Sequence, residues 1–264
     1  MIVVLCFDVD GVSAALNTDP ASWRLPSLMS MLNYGPSVGT PRILNILDEM
    51  DIKASFYVPG YIAETHQNLV KDIKARGHEI GHHGYMHEPP HTLSPPEEIA
   101  VLDKGIAILC QITGEKPRGY RSPGWELSQQ SISFLADRDF LYDSSLMDDD
   151  GPYIITTGNR YIVEIPVQWG LDDYPFFHYA PTLGTNRPIA TTEQVLQEWC
   201  SAFKAHHKLE RVFVLTLHPY IIGRPGRLQM LSQLIQYMRG FSGVRFMTSA
   251  QLAEAVIDQA NPIG

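Results

Sequence analysis

The residues with the clearest capacity for chemistry are histidines. Five of the ten histidines lie between His78 and His91, within the run that begins Gly-His-Glu-Ile-Gly-His-His. Imidazole is the commonest metal-binding side chain and carries protons near neutral pH. His83 and His87 stand four residues apart, so on one helical turn they would share a face and bind one ion. A histidine-rich solvated loop is the alternative, because a single H-x3-H pair is a weak motif.

Two aspartates follow the first apolar stretch of the chain. Residues 2–7 form an apolar run of strand length, and Asp8-Val9-Asp10-Gly11 ends it. On an extended chain Asp8 and Asp10 point to the same side, where two carboxylates need a cation or a shared proton. They could therefore complete a metal site with the histidines. Because Asp and Gly are common turn residues, a solvated turn is the other interpretation.

The elements that must position these side chains alternate between strand and helix. Strands are predicted over 2–7, 54–58, 78–81, 118–121, 140–142, 211–217 and 244–247, with a hairpin at 153–157 and 161–167. One helix is predicted to begin at residue 40, and a second is predicted to end at about residue 76. Further helices are predicted over 94–114, over 128–135, from 191 or 192 to 206, over 225–237 and after 248. Such alternation requires a largely parallel sheet.

The polar candidates share one position relative to these strands. All of them fall at or just past a C-terminal strand end, which is the end that carries the active site in (β/α) barrels: Asp8, Asp10, His83, His87, Arg121, Asp143 and His218. Two stretches without periodicity, 12–36 and 168–190, are predicted to be long loops that shape the site.

Length and charge restrict the class of protein. A chain of 264 residues fits a single α/β barrel, so we predict one domain over residues 1–264. The formal net charge of −9 disfavours nucleic acid and an anionic membrane as partners. The three cysteines are far apart and odd in number, which favours a reducing compartment. No basic segment precedes the short N-terminal apolar run, so a cytoplasmic protein is expected.

The motifs resemble those of the polysaccharide deacetylases, in the same order and over nearly the whole chain. The resemblance rests on Phe7-Asp8-Val9-Asp10-Gly11, Gly77–Gly81 with His83–His87, Arg121-Ser122-Pro123, Asp143-Ser144 and Leu217-His218-Pro219. It implies a distorted (β/α) barrel of the NodB-homology type, with about seven to eight mostly parallel strands. In the family's usual first motif the two aspartates are adjacent, whereas Val9 separates them here.

Further stretches resemble a largely intracellular subgroup of that family. They are Trp125–Ser128, Tyr142–Met147, Val163–Pro166 and Gly223–Pro225. The subgroup includes a bacterial peptidoglycan deacetylase, cyclic imide hydrolases and an allantoinase that needs no metal. Its members imply a homotetramer for this chain.

The resemblance implies a catalytic metal site. Asp10, His83 and His87 would bind one divalent ion and leave positions open for water and substrate. Zinc suits these ligands, and nickel, cobalt or iron would fit them too. The ion would acidify its bound water and polarise the scissile carbonyl.

The resemblance also implies the groups that move protons. Asp8 would be the general base, or a second metal ligand, and Arg121 would hold it ionised unless it forms only a surface ion pair. His218 would protonate the leaving nitrogen, unless it is bonded to backbone. Asp143 would orient His218, or equally cap the next turn.

Four residues are candidates for binding substrate. The backbone N–H of Gly124 would complete an oxyanion hole. Trp125, Tyr174 and Phe176 could stack on a sugar or another flat ring, although core packing or a subunit contact suits aromatic residues equally well.

Three functions follow from this pattern. The first is a metal-dependent hydrolase of non-peptide C–N bonds, acting by attack of metal-bound water on an N-acetylated sugar or related linear amide. The second is a hydrolase of cyclic imides or amides. The third is a non-catalytic, carbohydrate-binding barrel. It is the weakest of the three hypotheses, because candidate metal ligands, a base, an acid and an arginine are all present together. The absence of an export signal favours a soluble metabolite over an extracellular polymer.

Overall fold

A computed structural model describes residues 1–260 of the protein. Nine strands form one sheet, in the order β6-β7-β5-β4-β3-β2-β1-β8, with β9 also paired to β1. The strands are β1 (Ile2–Asp8), β2 (Ser55–Val58), β3 (Glu79–His82), β4 (Gly119–Tyr120), β5 (Tyr142–Asp143), β6 (Tyr153–Thr157), β7 (Arg160–Glu164), β8 (Phe213–Leu217) and β9 (Arg245–Met247).

β1 is the centre of the sheet because its apolar run is buried on both faces. Val3 to Phe7 are at most 1% exposed, as expected of a strand covered on both faces in a parallel sheet. β1 pairs in parallel with β2, β8 and β9, and its register places Phe7 beside Leu217 at the end of β8.

The sheet curls into a half-barrel covered by helices, which confirms the predicted fold class. All strand pairs are parallel except the β6–β7 hairpin. The helices are α1 (Ser13–Thr18), α2 (Pro26–Tyr34), α3 (Thr40–Glu49), α4 (Gly60–Thr65), α5 (Gln67–Ala75), α6 (Pro95–Thr113), α7 (Ser131–Asp137), α8 (Tyr174–Phe177), α9 (Thr192–Lys208), α10 (Pro219–Ile222), α11 (Pro225–Arg239) and α12 (Ser249–Ala260). Within residues 1–260 no helix is long and apolar enough to cross a membrane.

The ends of α6 show how local sequence sets a helix. Ser94 and Glu97 form a capping box at its start, and Gly114 ends it in the left-handed conformation, with φ 77°. A capping box satisfies backbone donors that have no partner within the helix. Glycine adopts positive φ without the steric cost of a Cβ atom.

The segment 12–36, predicted to be an irregular loop, is largely helical. It contains α1, a 3₁₀ turn over Pro20–Arg24, α2, and the start of a π-helical turn over Gly35–Gly39. The expectation failed because the helices are short and proline opens most of them, so no run is long enough to show helical periodicity.

Candidate active site

Asp8 lies at the end of β1, and its partner is a buried arginine. Arg121 donates from Nη1 to Asp8 Oδ1 at 2.9 Å, and neither side chain is more than 2% exposed. The guanidinium also donates to the Ser144 carbonyl and hydroxyl and lies 4.2 Å from the Tyr57 ring centroid. The predicted Arg121–Asp8 contact is therefore present, as a buried ion pair.

Asp10, two residues after Asp8, lies close to His83 and His87. One ligand atom from each lies within 4.8 Å of the others. Asp10 Oδ1 is 3.3 Å from His83 Nε2, and Asp10 Oδ2 is 3.7 Å from His87 Nε2. His83 Nδ1 bonds the Arg121 carbonyl at 2.7 Å, which leaves Nε2 to face the site. Two imidazoles and a carboxylate are the donor set of a catalytic zinc site.

The condition of the three side chains fits a cation. Asp10 Oδ1 is buried and has no hydrogen-bond partner among the described residues. Burial lowers the pKa of His87 to about 4. Although burial opposes it, the surrounding histidines, His87 foremost, hold the pKa of Asp10 below its usual range. Burial opposes protonation of His83, but its contact with Asp10 and the charges of Asp8 and Asp10 raise its pKa above the usual value. A bound cation would displace such a proton, because metal ligands bind in the unprotonated form.

A helical turn does not bring His83 and His87 together, contrary to the prediction. β3 ends at His82, and the residues after it form an irregular loop in which His87 has φ 64°. Glu88 Oε2 accepts the backbone N–H groups of Tyr85 and Met86 at 2.9 and 2.7 Å. This tight turn places the two imidazole ring centroids 4.9 Å apart.

The other histidines of the run have structural positions. His78 is buried and its Nδ1 accepts the Ala54 N–H at 3.2 Å. His82 is fully buried and bonds the Leu102 carbonyl at 3.2 Å. His91 is exposed at the surface.

His218 follows β8 and is held by carboxylates from the segment 168–190. Its Nδ1 bonds Asp173 Oδ1 at 2.7 Å and lies 3.5 Å from Asp172 Oδ1. Its Nε2 lies 3.7 Å from Asp10 Oδ2. Burial disfavours the imidazolium, but Asp172 and Asp173 outweigh it and raise the pKa of His218 well above its usual value. Burial raises the pKa of Asp172 to about 7.

The predicted pairing of Asp143 with His218 is wrong. Asp143 lies on β5, between β4 and β7, whereas β8 is at the far end of the sheet. Its Oδ1 accepts from Ser145 Oγ at 2.8 Å, and Ser145 Oγ accepts the Ser122 N–H at 2.9 Å. Asp143 therefore supports the turn that starts at Ser122. The alternative prediction, that Asp143 caps a turn, is closer to the structure.

A second buried carboxyl group accompanies Asp143. Glu164 Oε1 accepts the N–H groups of Ser145 and Leu146 at 3.0 and 2.9 Å. Burial raises the pKa of Asp143 to about 6, and burial together with the charge of Asp143 raises that of Glu164 well above its usual value. Two such neighbours share a proton more easily than they ionise together.

The site opens into a cavity of about 560 Å³. Asp8, the three candidate ligands and His218 line it. The predicted substrate-binding residues Gly124, Trp125 and Tyr174 also line it, as do parts of both segments 12–36 and 168–190. Phe176 does not: it packs edge-to-face on Trp199, with ring centroids 6.3 Å apart, so its predicted contact with substrate is replaced by core packing.

The turn before Trp125 leaves one backbone donor free. The Trp125 N–H bonds the Ser122 carbonyl at 2.9 Å, and no acceptor for the Gly124 N–H is found among the described residues. Trp125 has φ 60°, an uncommon conformation for a bulky residue, and its ring packs on Trp169 at 4.4 Å between centroids. A strained residue supported by its neighbours is typical of a functional turn.

Several residues of the site were not predicted. Asp172 and Asp173 bind His218, and His178 bonds the Tyr220 hydroxyl at 2.8 Å in the cavity wall. The adjacent aspartates were a visible signal, but no local pattern shows that their segment runs beside β8, where Asp172 forms a bridge with Thr216.

Comparison with known proteins identifies relatives over the full chain. Residues 24–140 match the family model described as polysaccharide deacetylase. A crystal structure from Mycobacterium smegmatis, described as a polysaccharide deacetylase, is 39% identical, with TM-score 0.96, over 98% of this chain and 91% of that one. The peptidoglycan deacetylase of Helicobacter pylori is 29% identical over 96% of this chain and 95% of its own. Puue allantoinase shares the fold, with TM-score 0.86 and 22% identity over 100% of this chain and 92% of that chain.

Proposed function

The chain belongs to the polysaccharide deacetylase family, and we propose that it is a metal-dependent enzyme that removes the acetyl group from an N-acetylated sugar or related linear amide. As a member of this family it is a hydrolase of carbon–nitrogen bonds other than peptide bonds. The observation that carries the proposal is the meeting of Asp8, the Asp10–His83–His87 triad and His218 on one cavity.

Asp10, His83 and His87 would hold the metal ion. The buried Oδ1 of Asp10, which has no hydrogen-bond partner within residues 1–260, and the lowered pKa of the buried His87 support this assignment. A divalent ion at this position supplies a Lewis acid that polarises the scissile carbonyl and acidifies water. Zinc suits the two imidazoles and one carboxylate, and the same ligands accept nickel, cobalt or iron.

Asp8 would act as the general base. Its Oδ1 accepts from Arg121, while Oδ2 accepts no hydrogen bond from the described residues and Asp8 lines the cavity. Asp8 thus has one oxygen fixed by Arg121 and the other available to take a proton from the attacking water. The Gly124 N–H, for which residues 1–260 provide no acceptor, would stabilise the negative charge that develops on the carbonyl oxygen.

His218 would act as the general acid. Asp173 fixes the orientation of its ring through Nδ1, and the two carboxylates favour the imidazolium. Its Nε2 faces Asp10 across 3.7 Å, so a proton on Nε2 lies next to the candidate metal ligands. The nitrogen that leaves the broken C–N bond would take this proton.

The cavity is suited to a substrate unit of limited size. Ligand pockets of roughly 300–1,000 Å³ hold drug-sized molecules, and about 560 Å³ lies within that range. Trp125 and Tyr174 provide ring faces in its wall, on which a sugar ring can pack. Similarity to the Helicobacter pylori peptidoglycan deacetylase over nearly the whole of both chains also supports an N-acetylated sugar.

A cyclic imide or amide is the second candidate substrate. The observation that favours it is the wall formed by residues of 12–36, where Ala14, Ala15 and Leu32 give an apolar surface above the site. Such a wall suits a small ring better than a polymer. The likeness to Puue allantoinase concerns the fold alone.

A substrate panel tests the proposal. Purified protein is supplied with N-acetylglucosamine, its short oligomers, succinimide, hydantoin and allantoin, before and after treatment with a chelator. We expect release of acetate from the acetylated sugars, its loss on chelation and its return with a divalent ion. Turnover of the cyclic compounds without acetate release would replace the first substrate class by the second. Full activity in the chelated enzyme would contradict metal dependence.

We further propose that the protein is a homotetramer, as the resemblance to the subgroup implies. Exposed aromatic residues of the segment 168–190, Trp169 and Tyr179, are 48% and 43% exposed and are candidates for the contact. Light scattering on the purified protein measures the mass of the assembly, and a mass of 29.6 kDa would be that of a single chain.

A further inference from the structure

Two neighbouring carboxylates contact His218, but they have different partners. Asp173 is fully buried, and both of its oxygens accept the His218 backbone N–H at 3.0 Å. Its Oδ1 also bonds His218 Nδ1 at 2.7 Å. Since all these bonds go to one residue, Asp173 positions the imidazole.

Asp172 is arranged differently. Its Oδ1 accepts the Tyr174 N–H at 2.7 Å and lies 3.5 Å from His218 Nδ1. Its Oδ2 accepts no hydrogen bond from residues 1–260 and is not completely enclosed by protein atoms. Asp172 lines the cavity. One oxygen is therefore anchored by the backbone, and the other faces the space that a substrate would occupy.

We infer from this division that Asp172 recognises the leaving group, and that its Oδ2 accepts a hydrogen bond from the N–H of the scissile amide. The inference rests on the proposed function, because the leaving atom would take its proton from His218 Nε2, and His218 and Asp172 line the same cavity. An ester has an oxygen at the same position and no hydrogen to donate. Asp172 thus selects amides over esters.

The reaction strengthens this contact. A bond forms between the water oxygen and the carbonyl carbon while Asp8 takes a proton from that water, the C–N bond breaks, and the nitrogen takes a proton from His218. The leaving amine carries more N–H donors than the amide did, and an alkyl amine also gains positive charge at neutral pH. A carboxylate beside it therefore stabilises the late part of the reaction more than the bound substrate, and an N–H or ammonium group there favours the ionised form of Asp172. The lone pairs of an ester oxygen would meet the same carboxylate without a hydrogen bond.

The test compares two probes that share the acetyl group and the aromatic ring, N-benzylacetamide and benzyl acetate, whose leaving atoms both need a proton from His218. Asp172→Asn keeps the size of the side chain but replaces one carboxylate oxygen by a donor. We expect it to lower kcat/KM for the amide at least about 10-fold more than for the ester, as for loss of a hydrogen bond to a charged group. Equal losses on both probes would overturn the inference.

Asp173→Asn is the matched control. Asp173 acts through His218, so its loss should reduce kcat for both probes by a similar factor and leave their ratio close to that of the wild type. If Asp173→Asn changed the ratio as strongly as Asp172→Asn does, the ratio would report His218, and the assignment to Asp172 would be wrong.

A binding measurement separates this inference from the proposed function. Glucosamine and glucose differ by an amine in place of a hydroxyl, and calorimetry gives the affinity of the protein for each. We expect the wild type to prefer glucosamine and Asp172→Asn to lose at least about 10-fold of that preference. Equal affinities in the wild type, or a preference that persists in the variant, would overturn the inference. If the wild type hydrolyses neither probe, the binding measurement alone decides the role of Asp172, and the substrate panel separately decides the proposed function.

Discussion

Asp8 and Asp10 lie two residues apart and differ in role because of what faces them. Arg121 occupies one oxygen of Asp8, so this carboxylate has an ionic partner within the protein. Asp10 faces His83, His87 and His218, and its Oδ1 has no hydrogen-bond partner among the described residues. A cation is what the second carboxylate lacks. This contrast supports Asp8 as base and Asp10 as ligand, the division that the sequence left open.

At the scale of single residues, His83→Ala should abolish metal binding and activity. The substitution removes a buried donor 3.3 Å from Asp10 and leaves two of the three candidate ligands. We expect stoichiometric zinc in the wild type and little in the variant. We also expect kcat/KM to fall by more than about 100-fold, because loss of a ligand itself should cost more than loss of a group that only hydrogen-bonds to a ligand. Metal analysis after dialysis, with acetate release, measures both.

His91→Ala is the control for that experiment. It removes a histidine from the same run of sequence, but His91 is exposed. The control should keep its metal and its activity. A His83→Ala protein that still binds one ion with wild-type affinity would contradict the ligand assignment.

At the scale of elements, the π-helical turn Gly35–Gly39 packs directly on the residues after His218. A Cβ atom on Gly39 would lie 2.1 Å from the Pro219 carbonyl oxygen, and one on Gly223 would lie 2.5 Å from Gly39 Cα. Backbone meets backbone here, with no flexible side chain to move aside. The cavity wall formed by α2 is therefore joined to the turn that carries His218.

Gly39→Ala should destabilise the protein by about 1–3 kcal/mol, as for overpacking of a well-packed core. Chemical denaturation measures the change. Gly226→Ala is the matched control, because a Cβ atom there meets nothing within 4 Å. Alanine at this helical position should be neutral or stabilising by up to about 1 kcal/mol. Equal stabilities of the two variants would show that the Gly39 contact can relax.

At the scale of the whole molecule, the curled sheet gathers the site from distant parts of the chain. The parallel pairing of β1 with β8 places Phe7 beside Leu217, so the next residues, Asp8 and His218, emerge at the same edge. Pairing through β2, β3 and β4 brings the histidine loop and Arg121 to that edge as well. Because the carboxyl ends of parallel strands meet at one end of a barrel, the arrangement follows from the topology.

The stability of the whole molecule should fall in mild acid, in part because of His78. Burial lowers the pKa of His78 to about 4, against an ordinary value near 6.5 in the unfolded chain. Between these two values the unfolded chain binds a proton that the folded protein does not, so stability is lost as the pH falls. From pH 7 to 4.5 this one group should account for about 2 kcal/mol.

Denaturation of two variants across that pH range isolates the contribution. His78→Asn keeps an acceptor for the Ala54 N–H but cannot be protonated, so it should flatten the pH dependence. His91→Asn changes an exposed histidine and should leave the dependence as in the wild type. The same slope in both variants would contradict the role of His78.

The sequence by itself was enough to predict the alternating strands and helices and most of the site. Asp8, Asp10 and His218 could be identified because they follow apolar strands, and His83 and His87 because of their spacing within the histidine run. Arg121 was identified from the family resemblance. The strand–helix alternation in turn requires parallel pairing. The fold class was therefore predictable, while the cytoplasmic location and the tetramer stay predictions.

Only the tertiary structure decided which carboxylates serve His218. Asp143 was predicted for that role, but strand order places β5 far from β8, and the segment that holds Asp172 and Asp173 crosses beside β8. The geometry of the histidine pair was also not local, since His87 reaches the site through positive φ in a turn held by Glu88. Periodicity reports which face of an element is apolar. It does not report where an irregular segment lies, because that depends on contacts between residues far apart in sequence.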